Sequence, residues 1–189
     1  MPLEFGTKTM VAAAVAMLLS AASATAQPAP SNTWLQNGIA MKGALNTASA
    51  GGFGVMQIAT TDPEHFMADW NKPGDFVKVD LATATVRHRP IVTFLLFTGC
   101  RPDAAGNCDV TADYEMTDPT GKRYDLSRNS KVWVLPPPLG RALQLSADGY
   151  GSSFEDKDAL GSYRVRATIT DHVAGLTLHT EQTLVVSAK

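Results

Sequence analysis

Val110-Thr-Ala-Asp-Tyr-Glu-Met-Thr117 alternates without a fault: Val110, Ala112, Tyr114 and Met116 fall on one side of an extended chain, Thr111, Asp113, Glu115 and Thr117 on the other. Successive side chains of extended backbone point to opposite sides, so a period of two marks a strand with one dry and one wet face. The same arithmetic holds over 162–171, with Tyr163, Val165, Ala167 and Ile169 inward and Arg164, Arg166, Thr168 and Thr170 outward. Ile91-Val-Thr-Phe-Leu-Leu-Phe97 is apolar on both faces and predicts a central strand covered twice. Further strands are expected over 54–60, 76–81, 131–135, 142–146 and 176–187.

The connections carry turn chemistry. Asp118-Pro-Thr-Gly121 fits a type I turn, and Asp171-His-Val-Ala-Gly175 offers Gly175 for a left-handed bend that closes a hairpin. One helix is signalled: Asp62 can cap it, Pro63 suits its first position, and Phe66 and Trp70 share a face over 63–70, predicting a short helix that plugs a sheet end. Asp158-Ala-Leu-Gly-Ser-Tyr163 precedes an alternating strand in the manner of a tyrosine corner, which gives Tyr163 and Asp158 a structural role. The fold expected over 53–189 is therefore all-β: an antiparallel immunoglobulin-like Greek-key sandwich with one short helix.

The 189 residues are 44% hydrophobic and 18% charged, with 16 Lys and Arg against 18 Asp and Glu. That balance supplies no basic surface to neutralise phosphates, so nucleic acid is not an expected partner. Residues 1–26 have the three-part plan of a secretory signal: a start containing Lys8, an apolar stretch over 10–19, and Ala24-Thr-Ala26 where a peptidase needs small side chains. Cleavage is expected between Ala26 and Gln27, with the periplasm as the destination. An apolar run of about ten residues is too short for a bilayer that needs about 20, so no membrane insertion is expected. Residues 27–52, rich in Ala, Ser, Asn, Gly and Pro, predict a flexible N-terminal arm carrying Trp34.

Cys100 and Cys108 enclose seven residues, a spacing that matches neither a zinc knuckle nor a redox dithiol. In an exported chain the pair reads as a disulfide, whose small loop restricts the unfolded state by about 2 to 3 kcal/mol. With Phe-Thr-Gly-Cys100, Asp118-Pro-Thr-Gly121, Asp158-Ala-Leu-Gly-Ser-Tyr163 and a closing apolar strand, the stretch 90–186 resembles bacterial exported immunoglobulin-like domains, including those of the macroglobulin type. The resemblance implies a fold and a recognition role and carries over no catalytic residue. The Gly-Cys-Gly-Glu-Gln thioester motif of complete macroglobulins is absent, since Arg101 and Pro102 follow Cys100, so proteinase trapping is not implied.

The tests for chemistry return little. There is no Gly-x-Ser-x-Gly elbow, no H-E-x-x-H and no P-loop, so no catalytic residue and no cofactor are expected. Two metal readings stay open: His65 and Met67 as imidazole and thioether ligands for copper, and Asp103, Asn107 and Asp109 as oxygen donors for calcium, though Met67 also suits packing beside Phe66 in the core. The remaining features suit contact with a macromolecule. Trp133-Val-Leu-Pro-Pro-Pro-Leu139 is a strand running into stiff polyproline, where Trp133, Leu135 and Leu139 could form an apolar ledge, with Trp34 as a further contact. The expectation is a non-enzymatic binding or assembly module with a protein partner in the envelope or periplasm, the alternative being a copper- or calcium-handling sandwich.

Overall fold

The computed structural model describes residues 33–36, 39–42, 44–73, 81–137 and 143–189, the first two stretches by backbone course alone. The expected leader and its cleavage site lie outside these residues. Among the described residues twelve strands and one helix follow in chain order: β1 (Thr33–Gln36), β2 (Ile39–Lys42), β3 (Thr47–Ala50), β4 (Phe53–Thr60), α1 (Pro63–Trp70), β5 (Ala84–Val86), β6 (Ile91–Thr98), β7 (Val110–Thr117), β8 (Arg123–Trp133), β9 (Gln144–Leu145), β10 (Tyr150–Ser152), β11 (Gly161–Asp171) and β12 (Leu176–Ser187). β1 and β2 form a separate antiparallel hairpin. The others build two five-stranded sheets, β10-β6-β4-β3 with β9 also on β6, and β5-β12-β11-β7-β8.

Chain order and spatial order interlock as a Greek key. β6 pairs with β4 and β10 in one sheet, and the next strand, β7, pairs with β8 and β11 in the other. β9 and β10 pair with successive stretches of β6 and so act as one interrupted strand. Every pairing is antiparallel except β5 with β12, where an early strand runs parallel to the last. This is an immunoglobulin-like sandwich.

The period-two segments position the core. β7 buries Val110, Ala112, Tyr114 and Met116 and leaves their neighbours partly open, and β11 does the same with Tyr163, Val165, Ala167 and Ile169. β6 is covered on both faces: Leu95 and Phe97 join the inter-sheet core, while Phe94 and Leu96 belong to a second cluster with Ile58, Leu145, Phe66 and Trp70. The helix therefore lies over the outer face of a sheet and does not plug its end. Phe66 stacks on Phe94 at 5.3 Å between ring centres. Met67, one residue on, is rotated by about 100° and is 37% exposed, so the packing expected for it does not occur. Asp62 caps the helix through its side chain, which accepts from the His65 amide at 3.0 Å.

Two boundaries differ from expectation. The arm expected over 27–52 gives up its last stretch to the sandwich: β3 pairs with β4 across a turn in which Gly51 and Gly52 hold φ of 58° and 88°, and Thr47 and Ala48 are buried. β8 begins near Arg123, well before the 131–135 strand expected, and ends before Val134. It is an edge strand with a break in register at Ala112/Tyr114, where Asn129 adopts φ 55° and its amide is held by the Asp113 carboxylate at 2.8 Å. The strand expected over 76–81 falls almost wholly outside the described residues. Among the described residues no helix is long and apolar enough to cross a membrane.

Candidate functional site

The antiparallel pairing of β7 with β11 puts Val110 beside Asp171 at one end of the sandwich and Thr117 beside Arg164 toward the other. The first end gathers the candidate site. Its centre is the Cys100–Cys108 disulfide, with the two Cα atoms 6.0 Å apart and both cysteines buried. Inside the ring Asp103 acts as a turn former: its carboxylate accepts from the Ala105 and Asn107 amides at 2.8 and 2.9 Å, and its own amide donates to the Asn107 carbonyl at 2.8 Å.

Three hydrogen bonds tie this loop to its neighbours. The Cys108 amide donates to the Leu135 carbonyl at 3.0 Å, and the His172 amide to the Asp109 carbonyl at 2.8 Å. The Arg101 amide donates to Oδ2 of Asp171 at 2.9 Å, while Oδ1 of Asp171 accepts from the Ala174 amide at 2.9 Å. Asp171 is fully buried, so its carboxylate is held by backbone donors between the disulfide loop and the β11–β12 turn. In the sequence it looks like an ordinary turn aspartate, and nothing local distinguishes it.

Beside the loop lies the apolar ledge, in which Leu135 is exposed as expected while Trp133 is not part of the exposed surface. Trp133 is half-buried: its ring packs on Phe97 at 5.8 Å and its indole Nε1 donates to the Pro136 carbonyl at 2.9 Å. It is an anchor beneath the ledge. Val134, which the sequence did not single out, is 42% exposed and Leu135 is 55% exposed. Leu139 and the Trp34 side chain lie outside the described residues.

The far end holds the tyrosine corner. The Tyr163 hydroxyl donates to the Ala159 carbonyl at 2.8 Å. Asp158, expected as part of that corner, serves another tyrosine: its carboxylate accepts from the Tyr124 hydroxyl at 2.9 Å and from the Glu155 amide at 2.6 Å. Tyr124 meets Tyr163 edge to face at 5.3 Å, so the two are coupled through their rings. Tyr150 repeats the arrangement, donating to Asp125 at 2.7 Å. Burial, with the nearby carboxylates, pushes the Tyr124, Tyr150 and Tyr163 hydroxyls above their ordinary titration range.

His65 among the candidate metal ligands and the other described histidines are each engaged locally. His65 pairs with Asp69 on its own helix at 3.3 Å, and Asp69 is held below the usual carboxylate range by its hydrogen bond from Lys72. His88 sits between Asp156 and Glu155 at 3.0 and 3.5 Å, His172 bonds Thr111 at 2.8 Å, and His179 bonds Thr168 at 3.2 Å. Met67 is on the exposed side of α1, and Asp103 and Asn107 are committed to their own turn. Among the described residues no group of three or more His, Cys, Asp or Glu is placed to hold a metal ion.

No family model matches the sequence, and no curated protein matches it either. Solved structures similar to the chain include a CARDB domain of a Pyrococcus furiosus protein in complex with di-metal ions, at 11% identity, covering 57% of this chain and 87% of that one, with a TM-score of 0.35. Another is the alkylpurine DNA glycosylase AlkC of Pseudomonas fluorescens bound to DNA containing an abasic site analogue, at 16% identity, 55% coverage of this chain and a TM-score of 0.36. A third is a family 123 glycoside hydrolase from Clostridium perfringens, at 10% identity, 71% coverage of this chain and a TM-score of 0.37. The matches span 28% of each of the last two proteins. Likeness at this level carries no argument about what the chain binds or does.

Proposed function

We propose that this chain is a non-enzymatic binding or assembly module, exported to the periplasm and related in kind to the immunoglobulin-like domains of macroglobulin type, that recognises a protein of the cell envelope. The observation that carries the reading is the exposure of Val134 and Leu135, 42% and 55%, on a segment whose backbone accepts hydrogen bonds from Cys108 and Trp133. Apolar side chains held rigid at a surface lose little conformational freedom when covered, which is what a recognition ledge requires. The leader-like start and the disulfide support export, and the scattered histidines support a surface role over a catalytic one.

Crosslinking in intact envelopes tests the proposal. The wild-type chain is expected to yield a discrete larger adduct, and Leu135→Glu, which changes an exposed position without touching the core, is expected to lose it. Recovery of the chain alone under crosslinking, or an adduct indifferent to Leu135, would overturn it.

A further inference from the structure

We infer that the Cys100–Cys108 disulfide is a redox-sensitive switch for the order of the candidate recognition end. When a dithiol reductant opens it, the 99–109 loop, the 134–137 ledge and the 171–175 turn loosen as one unit while the sandwich stays folded. The inference stands on how the bonds are distributed. β6 ends at Thr98 and β7 begins at Val110, so the sheet ladders stop where the loop starts. Residues 101–106 are all exposed, and no apolar packing holds them once covalent closure is lost. The ledge and the turn are attached to this loop through the Cys108–Leu135, Arg101–Asp171 and His172–Asp109 hydrogen bonds. Release of Arg101 also leaves Oδ2 of a fully buried Asp171 without that donor, so the turn must move to hydrate it.

The chemistry is ordinary thiol–disulfide exchange. One reductant thiolate attacks a cysteine sulfur, the S–S bond breaks, and the other cysteine leaves as a thiolate and takes up a proton. The second reductant thiol then resolves the mixed disulfide, releasing the first cysteine and leaving the dithiol oxidised to its own disulfide. With Cys100 and Cys108 only 6% and 2% exposed, the exchange waits on local opening of the loop. The consequence for recognition rests on the function proposed above, but the ordering transition does not.

Amide hydrogen exchange on the full chain tests it without a partner, so its failure leaves the partner reading standing. After dithiothreitol treatment, and equally in a Cys100→Ser/Cys108→Ser double variant, the amides of Arg101, Cys108 and His172 are expected to exchange on the order of tenfold faster. Those of Val165 and Ala167 in the centre of β11 are expected to keep their rates. Unchanged rates at the three loop amides would overturn the switch, and so would loss of protection in β11, which would make the disulfide a support of the whole fold. Asp171→Ala, with the disulfide intact, is expected to speed exchange at Arg101 and Ala174 while leaving Cys108 unchanged. A matching rise at Cys108 would show that Asp171, and not the disulfide, holds the end together.

Discussion

Replacing Tyr163 by Phe removes one oxygen and little else. The ring is fully buried and packs on Phe154 at 4.6 Å and Tyr124 at 5.3 Å, contacts that a phenylalanine retains. What is lost is the 2.8 Å bond to the Ala159 carbonyl, on a residue whose exposure lets water replace the donor in part. A buried hydroxyl donor contributes about 1 kcal/mol net, and an incompletely solvated carbonyl raises the cost of its removal toward about 2 kcal/mol. For a chain of this size that is a fall in melting temperature of about 3 °C for each kcal/mol. In urea, with a slope of about 2 kcal/mol/M, the midpoint should drop by about 0.5 to 1 M at unchanged slope. Equilibrium urea unfolding followed by tryptophan fluorescence reads both quantities. A loss below about 0.3 kcal/mol would show that the corner bond contributes nothing. A loss above about 4 kcal/mol would show that the ring had moved, because only repacking or cavity formation costs that much.

Two further expectations follow from the same geometry. All four tyrosines, Tyr114, Tyr124, Tyr150 and Tyr163, have hydroxyls raised above the ordinary value of 10.0, chiefly by burial. A raised folded-state value favours the protonated form, so this stability is fully present below pH of about 10 and is lost as pH rises through the folded values. Spectrophotometric titration should therefore show no phenolate until the chain begins to unfold, whereas ionisation near pH 10 in the folded state would refute the burial argument. Gly99→Ala places a Cβ 2.0 Å from the Gly52 carbonyl oxygen at φ 74°, whereas Gly106→Ala at φ 88° meets nothing within 4 Å. Urea unfolding should show about 1 to 2 kcal/mol lost at Gly106 and at least about 3 kcal/mol at Gly99, and equal losses would contradict the close approach of the two turns.

Legibility followed the chemistry of each segment. β7 was readable to the residue because it has one wet face and one dry face, and α1 because its cap, its proline and its two aromatics agree. β8 was hidden over 123–130 because an edge strand carries charge and a bulge where a central strand carries aliphatics. β3 was hidden because Thr-Ala-Ser-Ala buries by being small, a property that composition shares with flexible linkers. Of the candidate site, the disulfide and Leu135 were visible as a cysteine pair and an apolar run ending in proline. Asp171 was not: only tertiary structure turns a turn aspartate into a buried acceptor of two amides. Gln57 is a second case, fully buried between the sheets with its amide oxygen accepting from Thr180 at 2.7 Å and its nitrogen donating to the Val165 carbonyl at 3.2 Å.

These hidden polar contacts divide the labour between the two ends of the sandwich. At the Tyr163 end, tyrosine hydroxyls meet a carbonyl and carboxylates over a ring cluster, so side chains rooted in the core do the holding, with Leu160 and Val185 exposed beside them. At the Asp171 end the tethers are backbone amides and one covalent bridge, and the side chains they leave over, Val134 and Leu135, face outward. Here Leu135 spends its carbonyl on the Cys108 amide, and Trp133 spends its indole on Pro136, which fixes the backbone with the aliphatic groups turned out. That arrangement leaves the Val134 and Leu135 side chains uncovered on a tied backbone, and covering them with a partner would remove apolar surface from water.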